Sequence, residues 1–342
     1  MEIALFVQPK FRYAFDCKKI IEGIVDESYK KRYRLFMQKN SHDKESICII
    51  IADDKAWLDS KIKTLKVNYD KIILINNFYE DFNINYVLSD YEIAVNDLIK
   101  KSLYRIDRFA LYGVKRDNYL DCNKERCFLS NHPKGRVFYN DSGFRELYRE
   151  FSGHLKDFDA VICTDDIIAT SLVHHLKSEH LLGEIPILSL ERYKLTSFLQ
   201  TPVSSIDNDL YFLGTQAVVL ASFIYKSNVE SSIVFKLNTC TSYDDSKKRL
   251  NVGKFESMIC EKKTDDTEEG ELIRIETFMR SCDTLDFDIL TYVLQGNISY
   301  QNISELLFIT ENTLKYRIKR LKELLGVSHK SEMTALLSKY MI

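Results

Sequence analysis

Glycine and proline are scarce in this chain of 342 residues, with only 11 and 4 respectively. Together they make up about 4% of the sequence, where roughly 12% is usual. Collagen-like, proline-rich and Gly/Ser-linker architectures are thereby excluded. A basic excess is also missing: 48 Lys and Arg stand against 50 Asp and Glu, a formal charge of −2. A broadly basic, non-specific nucleic-acid binder is excluded on that count. No apolar run approaches the roughly 18–20 residues that span a bilayer. The first residues, MEIALFVQPKF, lack the basic segment, long apolar core and cleavage site of an export signal. None of the eight cysteines forms a CxxC pair or a Cys/His cluster at zinc spacing. Cys48 and Cys163 sit in apolar runs and read as small buried hydrophobes. The expectation is a cytoplasmic protein with reduced thiols, no cofactor, no metal and no membrane partner.

What is present is 45% apolar and 29% charged residues, enough for a sizeable core. Over the first 240 residues short apolar runs alternate with helix-like stretches. Strands are expected at Ile3–Val7, Tyr33–Met37, Ile47–Ile51, Lys71–Ile75, Arg108–Tyr112, Val137–Tyr139, Ala160–Cys163, Ile185–Ser189 and Ser232–Leu237. Helices are expected at Cys17–Lys30, Glu92–Lys101, Ser142–Leu155, Ile167–Ser178 and Leu213–Tyr225. Several strands are apolar on both faces, as parallel strands covered by helices are. The expected fold class is α/β, with two doubly wound lobes followed by a small all-α domain.

The charge is unevenly placed. Glu261–Glu276 holds seven acids and three bases, and Lys262–Gly270 has no aliphatic or aromatic residue. That stretch reads as part of a solvated linker over 246–284, with a connecting helix beginning near Glu271. Glu311–Lys330 holds six bases and two acids, so the two stretches cancel in the total.

The last sixty residues carry the clearest signal. Ser299 can cap a helix bearing Ile303, Leu306 and Leu307, and a four-residue turn Leu307–Thr310 follows. Thr310 then caps a helix Glu311–Leu325, and Gly326 ends it. Two helices joined by so short a turn form a helix-turn-helix candidate. Leu314, Ile318, Leu321 and Leu325 make one apolar stripe, while Asn312, Lys315, Tyr316 and Lys319 fall on the opposite side. Asn can pair with adenine, and Lys can reach guanine acceptors or phosphate. Thr313 and Arg320 flank that face for backbone contacts, and Ser299 and Gln301 at the start of the preceding helix complete the DNA-binding set. Double-stranded DNA is the expected partner.

The run GNISYQNISELLFITENTLKYRIKRLKELLGVSHKSEM resembles the LuxR-type helix-turn-helix of bacterial transcription regulators. GNIS with NTLKYRIKRLKELLG also resembles the C-terminal helix-turn-helix of PucR-type regulators. The domain is expected over 285–342.

Strand ends and adjoining turns hold polar residues where open α/β sheets bind ligands: Asp90, Asp165, Asp166, Glu191 and Asn208, with Arg126 in a helix-like run. Met1 to about Asp245 is similar to the sugar-binding core of the lactose-repressor family, a type I periplasmic-binding fold. The similarity rests on YVLSDYEIAVNDLI, the Arg of KERCFL, DAVICTDDIIATSLVHHL and IPILSLERYKLTSFLQTPVSSIDNDLYFLGTQAV. It implies a sensor domain over 1–245, with lobe one at about 1–103 and 209–230 and lobe two at about 104–208 and 231–245. Ligand contacts implied by the resemblance are Asp90, Arg126, Asp165, Glu191 and Asn208. The loop Gln8–Arg12 would add a wall, with Gln8 and Phe11 facing the ligand. Asp165 stands where that family has Asn, Glu191 where it has Asp, and Asn208 where it has Gln. Lactose-repressor relatives carry their DNA-binding domain first, whereas this chain has its helix-turn-helix last. The combined expectation is a ligand-responsive transcription regulator working as a homodimer, not an enzyme. The alternative is a solute-binding protein, or a sensor without DNA binding.

Overall fold

The computed structural model describes residues 1–9, 15–37, 46–52, 54–76, 82–90, 93, 95–96, 108–199, 203–227, 231–238, 240–242, 267–296 and 298–340. The described chain forms two compact units, Met1–Asp141 with Ser205–Ser242, and Ser142–Ser204 with Tyr243–Ile342. These bounds differ from the lobes drawn on the sequence.

The strands are β1 (Glu2–Val7), β2 (Arg34–Met37), β3 (Ile47–Ile51), β4 (Lys71–Asn76), β5 (Asn85–Ser89), β6 (Phe109–Val114), β7 (Arg136–Tyr139), β8 (Ala160–Cys163), β9 (Ile187–Ser189), β10 (Val203–Asp207), β11 (Val234–Leu237) and β12 (Cys240–Ser242). The helices before the C-terminal region are α1 (Phe15–Lys30), α2 (Lys55–Asn68), α3 (Tyr119–Asn131), α4 (Phe144–Ser152), α5 (Asp166–Ser178), α6 (Lys194–Leu199) and α7 (Leu210–Ser227). The expected helix Glu92–Lys101 lies largely outside the described residues.

One six-stranded sheet has the order β11-β5-β4-β3-β1-β2, and its neighbours pair in parallel. All five side chains of β3, Ile47 to Ile51, are buried, as a central strand covered on both faces requires. Alternation along β1 divides the core. Ile3, Leu5 and Val7 pack with Leu213, Ala217 and Val218 of α7. Ala4 and Phe6 pack on the other face with Leu58, Ile62 and Leu65 of α2. The second six-stranded sheet has the order β12-β10-β9-β8-β6-β7, parallel for β6–β7 and β8–β9 and antiparallel for β10–β12.

Helices α1 and α7 cross with their backbones nearly touching. A Cβ on Gly214 would lie 2.1 Å from the Ile20 carbonyl oxygen, and one on Gly23 would lie 2.1 Å from that of Tyr211. Gly214→Ala therefore forces the helices apart. We expect a loss of about 1–3 kcal/mol, the range for overpacked cores, read as a lowered unfolding midpoint in urea. An unchanged midpoint would show that the crossing yields freely.

The C-terminal region is helical: α8 (Glu268–Arg280), α9 (Thr284–Gln295), α10 (Tyr300–Leu306), α11 (Glu311–Leu325) and α12 (Lys330–Tyr340). Helix α8 begins three residues before the expected Glu271, with Thr267 as its N-cap accepting from Gly270 N–H. It corresponds to the expected connecting helix and takes in Glu268–Gly270, from the stretch that reads as solvated. Leu272, Ile275, Phe278 and Met279 are buried, and it packs on α5, α6 and α11.

Candidate functional site

The recognition-helix candidate matches its sequence-drawn bounds. Thr310 Oγ1 accepts from Thr313 N–H at 3.1 Å, and Gly326 closes the far end in the left-handed region at φ 70°. Leu314, Ile318, Leu321 and Leu325 are buried. Asn312, Thr313, Lys315, Tyr316 and Lys319 are exposed together on the outer side. Lys315 pairs with Glu311 at 3.0 Å and Lys319 with Glu323 at 3.9 Å. Exposed i,i+4 pairs of this kind contribute a few tenths of a kcal/mol, so both ammonium groups can exchange a carboxylate for a phosphate. On α10, Ser299 is the N-cap, accepting from Asn302 N–H, and Gln301 donates to Glu305.

Arg320 is differently engaged. Its Nη1 donates to Asp286 at 2.8 Å and its Nη2 to the Ser281 carbonyl at 3.1 Å. Arg317, which sequence reasoning did not single out, donates to Asp283 and to Asp286, each at 2.8 Å. Asp286 is fully buried. It also closes a capping box with Asp283 at the start of α9. Two guanidinium groups from α11 therefore clamp one buried carboxylate of α9 and fix the angle at which α11 is held. Hydrogen bonding from Arg317 keeps the Asp283 carboxyl below its usual range, against the desolvation that would raise it.

In the unit Met1–Asp141 with Ser205–Ser242, the implied ligand residues follow strand ends. Gln8 comes directly after β1. It is buried, its backbone N–H donates to the Ile51 carbonyl, and its Oε1 accepts from Asp54 N–H at 3.2 Å. Asp90 comes directly after β5 and accepts from Ile93 N–H at 3.2 Å. Asn208 comes directly after β10, and its carbonyl accepts from Leu210 N–H ahead of α7. Arg126 is exposed on α3. Phe11 lies outside the described residues.

In the other unit, Asp165 follows β8 and caps α5, accepting from Ile168 N–H at 2.9 Å. Glu191 follows β9, is buried, and accepts from Tyr193 Oη at 2.8 Å. Asp166, fully buried, accepts from Tyr193 N–H at 2.8 Å and from the Thr196 hydroxyl. The loop Glu191–Tyr193 and the start of α6 are thus tied to the carboxylate beside Asp165. The same start of α6 is capped from the C-terminal region. Glu276 of α8, itself buried, accepts from Lys194 N–H at 3.2 Å and Leu195 N–H at 2.7 Å, and pairs with Arg280. At the other end of α8, Glu268 accepts from Ser171 Oγ at 2.7 Å and bonds His175 Nε2 at 3.1 Å, both on α5. Desolvation pushes the Glu268 carboxyl upward, but these partners outweigh it and hold it below its usual range. Glu268 and Glu276 belong to the acidic stretch that reads as solvated in the sequence.

Among the described residues no three His, Cys, Asp or Glu side chains gather as a metal site requires, and no helix is long and apolar enough to cross a membrane. Burial holds the Cys48 and Cys163 thiols well above their ordinary range, as expected of packing groups.

Residues 287–337 match the PucR C-terminal helix-turn-helix domain, the second of the two resemblances read from the sequence. No curated protein matches the chain. Several solved structures share the fold of the two-sheet region. A LacI family transcriptional regulator from Bifidobacterium animalis subsp. lactis DSM 10140 aligns with TM-score 0.55 at 12% identity, over 69% of this chain and 94% of that one. The transcriptional regulator CelR in complex with cellobiose aligns with TM-score 0.54 at 12% identity, over 71% and 83%. The LacI family regulator CCPA from Weissella paramesenteroides with bound sucrose aligns with TM-score 0.50 at 14% identity, over 71% and 97%. The chain thus carries a PucR C-terminal helix-turn-helix domain behind an α/β core with the fold of LacI family regulators.

Proposed function

We propose that this protein is a ligand-responsive transcription regulator. It takes up a small polar effector at the carboxyl ends of its strands and reads duplex DNA with α11. The observation that carries the reading is the hydrogen-bonded seat of α8. The helix just ahead of the reader caps α6 through Glu276, and the capped residue Lys194 is three residues from Glu191. An effector that engages Asp165 or Glu191 acts on the loop that Asp166 and Tyr193 order, and so on the start of α6. Sugars are the first effector class to test, given the sucrose and cellobiose held by the two similar regulators. The carboxylates Asp165 and Glu191 favour a polyhydroxylated or amine-bearing molecule. The protein works in the cytoplasm, without turnover of its effector, and as a homodimer reading two half-sites.

The test begins with selection of duplexes from a random pool, followed by footprinting. A single protected sequence element is expected, and its absence would remove DNA reading from the proposal. Lys315→Ala with Lys319→Ala should then weaken binding to that element by roughly 30- to 1000-fold, the equivalent of about 2–4 kcal/mol. A thermal-shift screen against sugars, sugar phosphates, amino acids and nucleosides identifies the effector, and its affinity should not change in the double variant. If effector affinity collapsed with DNA affinity, sensor and reader would not be separate sites.

A further inference from the structure

The turn between α10 and α11 leaves a large apolar ring in solvent. Phe308 sits there at φ 53°, in the left-handed region, and is 96% exposed. Its N–H donates to the Glu305 carbonyl and that of Ile309 to the Ser304 carbonyl, so hydrogen bonding holds the turn in this conformation. The same pair of bonds closes α1 at Arg32 and α5 at His180, so the left-handed residue is a helix C-terminal cap made without glycine. A residue with a Cβ is disfavoured in that region, and a fully exposed phenyl ring also forgoes the gain from leaving water.

The surroundings select the kind of partner. Phe308 lies two residues ahead of Thr310, the N-cap of α11, on the approach to exposed Asn312 and Thr313. Leu306 and Tyr316, 52% and 68% exposed, are the other large apolar side chains uncovered in this motif. Lys315 and Lys319 share the exposed side of α11 with Tyr316. A ring set in a positively charged surface suits a polyanion that also offers apolar edges. Duplex DNA does so through its deoxyribose faces and thymine methyl groups. A second copy of the chain would instead bring one basic face against another.

We propose that Phe308 contacts DNA directly, packing against sugar or thymine methyl at the edge of the groove that α11 enters. This rests on the reading of α11 as the DNA-reading helix.

The test uses the full chain with three substitutions: Phe308→Gly, which relieves the backbone; Phe308→Asn, which tolerates the left-handed region; and Phe308→Tyr, which keeps the ring. Binding is followed by fluorescence anisotropy over a salt series, on random-sequence duplex and on duplexes recovered from it by selection. The Gly and Asn variants should unfold at the wild-type temperature or higher yet bind the selected duplex about tenfold more weakly, one 1.4 kcal/mol step. Their salt dependence should match the wild type, because an apolar contact releases no counterion. Lys315→Ala should lower the slope of log affinity on log salt by about 0.9. Phe308→Tyr should retain affinity. Gly and Asn variants that bind within twofold of the wild type would overturn the proposal. So would variants that lose self-association rather than DNA affinity, since the ring would then meet a second copy. If the wild type bound no duplex and Lys315→Ala changed nothing, the DNA-reading function itself would fall, and that result is distinguishable from the failure of Phe308 alone.

Discussion

Asp286→Ala is expected to unfold the reader before any other single change in it. The carboxylate is fully buried and receives Arg317 and Arg320 from α11, each at 2.8 Å. Removing it leaves two guanidinium groups facing each other over an empty site and opens the capping box at the start of α9. Breaking a buried ion pair from one side costs about 3–5 kcal/mol. Arg317 and Arg320 keep side-chain exposures of 24% and 37%, so solvent softens the loss and the lower end of that range applies. Hydrogen exchange across α11 is the direct readout, since Leu314, Ile318 and Leu321 depend on the same seat. Asp286→Asn retains acceptor capacity and should lose less. A reader as protected in Asp286→Ala as in the wild type would mean that apolar packing alone holds α11.

The second large effect concerns communication. Glu276→Gln keeps the shape of the side chain but replaces a carboxylate that accepts two amide N–H groups of α6 and pairs with Arg280. Hydrogen bonds to a charged partner contribute about 1.5–3 kcal/mol, so α8 should leave its seat on α6 part of the time. DNA affinity without effector should survive, because Lys315 and Lys319 lie on α11. The ratio of DNA affinities with and without effector should shrink toward one, from a starting value that for coupled sites is typically about 5–150-fold. Amide exchange at Lys194 and Leu195 should rise in the same variant. An unchanged ratio would place the route from sensor to reader elsewhere.

What the sequence made legible depended on range. The bounds of α11, its buried stripe and its caps all lie within sixteen residues of one another, and they are readable. β3 was readable because both its faces are apolar. The segment α2 is hard to read although Leu58, Ile62 and Leu65 fall at helical spacing, because Lys and Asp residues dilute the pattern. β10 was overlooked because Val203–Asp207 is mostly serine and acid, and β5 because its apolar run is short. The strand-end positions of the ligand set could be anticipated from the βα pattern. The roles of Glu268, Glu276 and Asp286 could not. Their partners on other helices lie 31 to 97 residues away in the chain, and a carboxylate in an acidic run gives no local sign of burial. Arg320 illustrates the same limit, since a basic residue on a basic helix looks free until its partner is located.

Helix α8 lies outside the matched segment 287–337, yet its side chains pack both on α5 and α6 and on α11. It therefore has the properties of an adaptor. Its Glu271 also accepts from Lys339 and Tyr340 of α12, so one helix of thirteen residues joins the reader to this particular core. Its carboxylates divide the work: those at positions 268 and 276 address the core, and the one at position 271 addresses the reader.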